Sequence, residues 1–338
     1  MNSPLVSIII PVKNGEKTLE DCLARLRKSS FSLHEIIVVD DHSTDNSAVI
    51  AMDMGARVLA FEDKTGVSAA RNFGAQSARG RILVFTDADV MFNTDTLERL
   101  LDCMDDDTVG AAVGVFAEEA PHKNFASRWK NLWMRWTYIR LPNRIALFFT
   151  SVAAIRADWF KASGGFDERY TLPSVEDTEF GRRLADLGAN IRLCRKAEVT
   201  HDKHYTLREL LRTDFHRASA LVRLVLRERT RPNEISVDAA VNKKFSVPML
   251  YPIGAFALTT GILCILLFLL KGNILFFNLA LGFCFFAGFT VGSFFFWLVA
   301  RRGAFFLLPA SLFWAADCVA VTAGAFAGVI GYIFGRKY

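Results

Sequence analysis

Asp87 and Asp89, one residue apart after a short apolar run, are the residues of this chain best placed to do chemistry. The run Ile82–Phe85 is rich in β-formers and short, the pattern of a buried strand. A buried strand ending in Thr86-Asp87-Ala88-Asp89 sets hard oxygen ligands at the carboxyl edge of a sheet, where open α/β sheets take their ligands. A divalent cation held by one or two carboxylates shares its other positions with water and substrate phosphates. The competing reading is a solvated turn at a strand end. Asp40 and Asp41 close a second such strand over 35–41. They suit a nucleobase N–H or ribose hydroxyls, although a bare Asp-Asp pair is also a capping pattern. Lys13 and Arg71 carry the opposite sign. Arg71 suits a bidentate phosphate contact, and taken alone each is a surface charge.

Several elements must position these groups. Val6–Val12 reads as a buried strand and Lys13-Asn14-Gly15 as a turn. A helix follows over 17–27, with Leu19, Cys22, Leu23 and Leu26 at helical spacing. Ser43, Thr44 and Asp45 offer caps for the next helix, 57–61 is a third strand, and 66–75 opens a helix with small residues. Strand and helix alternate with short links, which predicts an α/β fold with a mostly parallel sheet and helices on both faces.

At 338 residues the chain exceeds one ordinary domain. Its hydrophobic fraction of 52% is unevenly spread, because 1–245 reads as a soluble α/β protein and 247–334 is nearly uncharged. A net charge of +5 is too small to argue for nucleic acid. The six cysteines show no Cys-x-x-Cys spacing, which argues against a zinc site and a disulfide framework and suits a reducing compartment. Residues 6–12 are too short for the apolar core of a signal peptide, so membrane entry falls to the C-terminal spans.

Residues 6–14, 38–45, 66–74 and 86–89 together resemble the nucleotide-binding half of glycosyltransferase family 2. Gly164-Gly-Phe-Asp-Glu168 and Glu176-Asp-Thr-Glu-Phe-Gly-Arg-Arg183 extend the resemblance over 5–220. It implies a GT-A fold, a Rossmann-like mixed, mostly parallel sheet, over 1–230, ahead of a juxtamembrane segment and an all-α transmembrane domain over 231–338. It implies that Pro11, Lys13, Asn14, Asp41, Arg71, Asp87 and Glu176 meet the nucleotide sugar. By the same resemblance Asp89, with Asp87 and His201, holds Mn²⁺ or Mg²⁺, and Asp177 is the catalytic base. His204 and His216 compete with His201 for the metal. Elementary chemistry agrees: the leaving phosphates need a cation, and the acceptor hydroxyl needs a base within about 3 Å. The expected step is a single in-line displacement that inverts the anomeric carbon. The plain alternative for Glu176 and Asp177 is acids set against a helix dipole.

Between the two halves, 126–149 interleaves Trp129, Trp133, Trp136 and Tyr138 with Arg128, Lys130, Arg135, Arg140 and Arg144. That mixture suits a helix lying on an anionic bilayer; the alternative is a helix with its tryptophans in a core. A second basic amphipathic stretch over 206–229 is expected to grip the same surface. Residues 247–270 and 274–300 are each long enough to cross a bilayer core, which needs about 20 apolar residues. The region 304–334 carries Pro309 and Asp317 and is either one tilted or kinked helix or a re-entrant piece followed by a span. Asp317 is either functional or the cap of a break. Lys243-Lys244 and Arg301-Arg302 place the loops beside them, and the catalytic domain, on the cytoplasmic side. Gly261, Gly282, Gly288, Gly292, Gly324, Gly328 and Gly331 either pack the three segments together or mediate homo-oligomers.

The expected function is a membrane-anchored, metal-dependent, inverting glycosyltransferase using a UDP- or GDP-sugar and a lipid-linked acceptor. A polyprenyl-phosphate sugar synthase ranks second, because Asp89 is followed by Val90-Met-Phe-Asn93 rather than a Gln-His-Pro-like sequence. A non-catalytic sugar-nucleotide-binding subunit is the alternative from another class. No Gln-x-x-Arg-Trp motif of a processive synthase is present, the nearest pattern being Asp214-Phe-His-Arg217.

Overall fold

The computed structural model describes residues 6–32, 34–230 and 250–336. The described chain forms two compact units, one from 6–123 and 138–204, the other from 124–137, 205–230 and 250–336. The first is built on strands β1 (Val6–Val12), β2 (His34–Asp40), β3 (Arg57–Ala60), β4 (Ile82–Phe85), β5 (Val90–Phe92), β6 (Val109–Phe116), β7 (Arg144–Ile145), β8 (Ala153–Arg156) and β9 (Asn190–His201). They form one sheet in the order β3-β2-β1-β4-β8-β6-β9-β5, with β7 added on β9. The first four run parallel, β8 is antiparallel to β4 and β6, β6 and β9 are parallel, and β5 and β7 are antiparallel to β9. This is the mixed, mostly parallel sheet expected from the sequence. Every residue of β6 is buried, as a strand covered on both faces requires.

Helices α1 (Glu16–Arg27), α2 (Ser47–Asp53), α3 (Val67–Ser77), α4 (Thr96–Asp102), α6 (Ala157–Ala162) and α7 (Glu176–Asp186) belong to the sheet unit. Five phenylalanines lock the last two to β4. The Phe166 ring lies 4.3 Å from Phe180 and 5.3 Å from Phe85, with Phe148 and Phe160 packed around them. This aromatic cluster fixes the start of α7 relative to the strand that carries Asp87. Cys103, just after α4, forms a disulfide with Cys194 on β9. The spacing of the cysteines argued against a disulfide framework, and this one pair was not legible from it because the partners are 91 residues apart in sequence.

The second unit contains most of α5 (Phe125–Ile139), with α8 (Leu207–Thr230), α9 (Leu250–Lys271), α10 (Ile274–Arg302) and α11 (Leu307–Ile333). The last three helices, with 304–306 as a short 3₁₀ lead into α11, are long and apolar enough to cross a membrane. The 304–334 region is one continuous helix after that lead, so neither a re-entrant break nor a cap at Asp317 is formed. Pro309 lies in its first turn, where no backbone N–H is needed. Asp317 is buried and accepts a 2.6 Å hydrogen bond from the Tyr251 hydroxyl.

The interfacial reading of α5 is also corrected. Trp129, Trp133 and Trp136 are at most 9% exposed, and all three pack on Phe294, with ring centroids 5.3, 4.9 and 5.1 Å away. Aromatics at helical spacing satisfy a protein core as well as a bilayer interface, and here Phe294 supplies the core. Helix α8 meets α11 closely: a side chain at Gly324 would collide with the Phe215 carbonyl, and one at Gly328 would lie 2.6 Å from the Ser219 carbonyl. A side chain begun at Gly282, Gly288 or Gly292 would meet nothing within 4 Å among the described residues, so close approach of the three segments does not require glycine there. Lys243-Lys244 and the first residues of the 247–270 span lie outside the described residues.

Candidate active site

Strand β4 ends in Phe85, and the chain passes through Thr86 to Asp89 before re-entering the sheet as β5. Val90 of β5 pairs with His201 of β9, bringing His201 Nε2 to 3.4 Å from Asp89 Oδ1. Lys203 Nζ lies 4.0 Å from the other oxygen. Burial opposes ionisation of Asp89, but the hydrogen bond and charge of His201, with Lys203, hold its carboxyl below the usual carboxylate range. The His201 ring is stacked on Phe116 at 4.9 Å. The other histidines go elsewhere. His204 stands edge-on to His122, which pairs with Asp202 at 3.0 Å, and His216 lies against Phe215 in the helical unit.

A carboxylate oxygen and an imidazole nitrogen this far apart can share one cation at about 2.1 Å from each after a small adjustment. Among the described residues no cluster of three or more His, Cys, Asp or Glu side chains could hold a metal. The donor set therefore fits a cation completed by water and phosphate oxygens rather than a closed protein cage.

Asp87 is held quite differently. Arg71 donates one nitrogen to Asp87 Oδ1 and another to Glu176 Oε1, both at 3.0 Å. The Ser151 hydroxyl donates to Asp87 Oδ2 at 2.9 Å. Arg71 is only 2% exposed, so the sequence reading of a surface charge is overturned. It is an internal cation at the focus of the acids. Burial disfavours its charge, but Asp87, Glu176 and Asp177 together hold its pKa above the usual value. Glu176 also accepts the Ser174 N–H at 2.6 Å, so both of its oxygens are engaged. Asp177, half-buried in the first turn of α7, accepts the Thr178 N–H at 2.6 Å.

At the end of β2, Asp41 accepts the Thr65 N–H at 2.7 Å, the Thr65 hydroxyl at 3.1 Å and the Gly66 N–H at 3.2 Å. Gly66 has φ +102°, and a side chain there would lie 2.6 Å from the Thr171 carbonyl, so only glycine fits this turn. Asn14 accepts the Thr44 N–H at 2.8 Å, and its own N–H donates to Ser43. Lys13 is exposed and Pro11 half-buried on the same strand end. Cys22 contacts the Asp87 carbonyl, and burial pushes its thiol pKa well up, which removes it as a nucleophile.

Sequence reasoning missed two residues. The Asn72 amide bonds the Phe166 backbone in both directions, at 2.8 and 2.9 Å, and donates to Glu168 at 2.8 Å, pinning the Gly164–Glu168 motif to α3. Its place beside Arg71 was the only available signal. Ser151 is 64 residues from Asp87 and gave none.

Residues 7–164 match the family model described as Glycosyl transferase family 2. This chain carries a family 2 glycosyltransferase domain. Glycosyltransferase GlyG of Streptococcus pneumoniae is 32% identical over 117 residues, which are 33% of this chain and 39% of that protein. The pre-mycofactocin glycosyltransferase of Mycobacterium tuberculosis is 29% identical over 69% of this chain and 51% of its own length. The match thus spans about half or less of these curated relatives. Among solved structures, the mannosyltransferase PcManGT from Pyrobaculum calidifontis, in complex with GDP-Man and Mn²⁺, aligns with TM-score 0.61 at 18% identity, covering 97% of this chain and 88% of that one. S. aureus TarS 1–349 in complex with UDP-GlcNAc aligns with TM-score 0.55 at 18% identity, covering 98% and 92%. At these identities the likeness is one of fold, and the fold is GT-A.

Proposed function

We propose that this family 2 domain transfers a sugar from a nucleotide diphosphate sugar to a hydroxyl of a lipid-linked acceptor, inverting the anomeric carbon. The observation that carries the reading is the bridge made by Arg71, which bonds Asp87 after β4 and Glu176 at the start of α7 and feels the charge of the adjacent Asp177. One buried guanidinium thereby links the strand-end Asp87 to the start of the helix that carries the proposed base. Asp41 and Asn14 flank the place for the nucleoside. Asp89 and His201 would hold Mn²⁺ or Mg²⁺, which supplies charge neutralisation on the leaving diphosphate. Asp177 takes the proton of the acceptor hydroxyl. Its half-buried position leaves the carboxylate within reach of substrate. GDP-Man and UDP-GlcNAc bound to the two GT-A neighbours support a sugar nucleotide as donor, and three apolar helices support an acceptor presented at a membrane. On this reading the sheet unit works on the cytoplasmic face.

The test is a thermal-shift titration of the detergent-solubilised chain with UDP, GDP and their sugars, with and without Mn²⁺. A ligand at 100 times its dissociation constant should add about 2.7 kcal/mol. Stabilisation that requires both nucleotide and Mn²⁺ is the expected result; no response to any of them overturns the reading.

A further inference from the structure

We propose that Ser151 is a positioning residue of the active site, fixing the Asp87 carboxylate in the orientation that receives the sugar nucleotide; this rests on the function proposed above. Ser151 lies in the turn 149–152, which leads into β8 and is closed by the Val152 N–H on the Phe149 carbonyl at 3.0 Å. The turn is tied to two other strands. Gly114 of β6 donates its N–H to the Val152 carbonyl at 2.8 Å, and the Thr86 hydroxyl donates to the Ser151 carbonyl at 2.9 Å. With Ser151 itself 7% exposed and Thr150 4%, its hydroxyl is delivered from a rigid base.

That hydroxyl takes Asp87 Oδ2 while Arg71 takes Oδ1. A carboxylate offers about four acceptor positions, so each oxygen keeps a lone pair, and the Asp87 side chain is 30% exposed. Both donors are buried, which leaves the open side of the carboxylate for substrate. The division of labour follows from charge. Arg71 is already shared with Glu176 and can fix only one Asp87 oxygen. A neutral donor on the second oxygen stops rotation about the soft terminal torsion without cancelling the negative charge. Asp89 is set differently, with His201 at 3.4 Å and Lys203 at 4.0 Å, a looser setting that lets it adjust to a cation.

Calorimetric titration of the full chain in detergent, with Mn²⁺ and either UDP-GlcNAc or GDP-mannose as probe, tests this. Ser151→Ala is expected to weaken the sugar nucleotide that the wild type binds about tenfold, the scale of a lost hydrogen bond to a charged group. Ser151→Thr, which keeps the hydroxyl, should restore affinity to within about threefold. Thr96→Val removes another buried hydroxyl, bonded to the Glu198 carbonyl at 2.6 Å; it should lower the thermal midpoint and leave affinity unchanged. Wild-type affinity in Ser151→Ala, with a lowered midpoint like that of Thr96→Val, overturns the proposal and leaves a purely structural serine. Should the alanine variant fail to fold, Ser151→Cys with its weak donor takes its place, and wild-type affinity there has the same meaning. Wild-type chain that binds neither probe overturns the functional reading itself, a result no outcome at Ser151 can mimic.

Discussion

Arg71 in the sheet unit and Asp317 in the helical unit are each 5% exposed or less, yet their charges are met in different ways. Arg71 is paired with two carboxylates, Asp87 and Glu176, and these acids take further bonds from Ser151 and the Ser174 N–H. Asp317 is bonded to a neutral hydroxyl, that of Tyr251, and among the described residues its buried Oδ1 meets no hydrogen-bond partner. The nearby cation, Lys130, is taken by Asp214 at 2.6 Å. In the sheet unit, the buried cation is met by acids on two sides. In the helical unit, the acid outnumbers its cation. A buried ion pair is costly to break and less costly never to have had, so substitutions in the two clusters should differ in sign as well as size.

The largest expected effect is catalytic. Asp177→Asn keeps shape and hydrogen bonding but cannot accept a proton, so transfer should fall by about 10²–10⁴-fold, read as initial rate with saturating sugar nucleotide and Mn²⁺. Near-normal transfer would separate the Arg71 cluster from the chemistry. Next is Arg71→Met, which leaves the buried Glu176 and the partly exposed Asp87 without their shared cation; a loss of about 3–5 kcal/mol is expected in denaturant unfolding of the sheet unit. In the helical unit, Tyr251→Phe strips Asp317 of its donor and should cost about 1–3 kcal/mol in detergent. Asp317→Asn removes the buried acid and retains an acceptor for Tyr251, so stability should hold within about 1 kcal/mol or rise. A loss as large as that of Arg71→Met would erase the contrast between the units.

The smallest effect lies outside both clusters. Burial pushes the Glu35 carboxyl up, but the Ser7 hydroxyl and Arg79 outweigh it and hold it below the usual range. With the folded pKa below the unfolded one, the stabilisation is complete above about pH 4.3 and lost as pH falls through the folded value. Glu35→Gln should flatten that acid loss by under about 1 kcal/mol, because its partner Arg79 is exposed to solvent, as measured by thermal midpoints from pH 6 down to 3.

Much of the site was legible because its residues announce strand ends and helix starts. Asp41, Asp87, Asp89 and Glu176-Asp177 each stand where an apolar period stops, and the structure puts each at such a boundary. Legibility failed where one pattern serves two environments. Trp129, Trp133 and Trp136 fit a bilayer interface and a protein core equally by spacing, and only Phe294 of α10 decides between them. The acid partners of Arg71 were not legible, because they lie 16 and 105 residues away.

By itself the sequence determined the strands, the apolar helices and the candidates to bind a cation or move a proton, since propensity, periodicity and side-chain chemistry are local properties. Tertiary structure alone decided which histidine stands beside Asp89, which hydroxyl steadies Asp87, and whether Arg71 faces solvent or acids. Those outcomes depend on sheet order: β5 on β9 brings His201 to Asp89, and β8 on β4 brings the Ser151 turn to Asp87. Pairing between strands far apart in the chain is a cooperative property of the whole sheet, and no single stretch of residues encodes it.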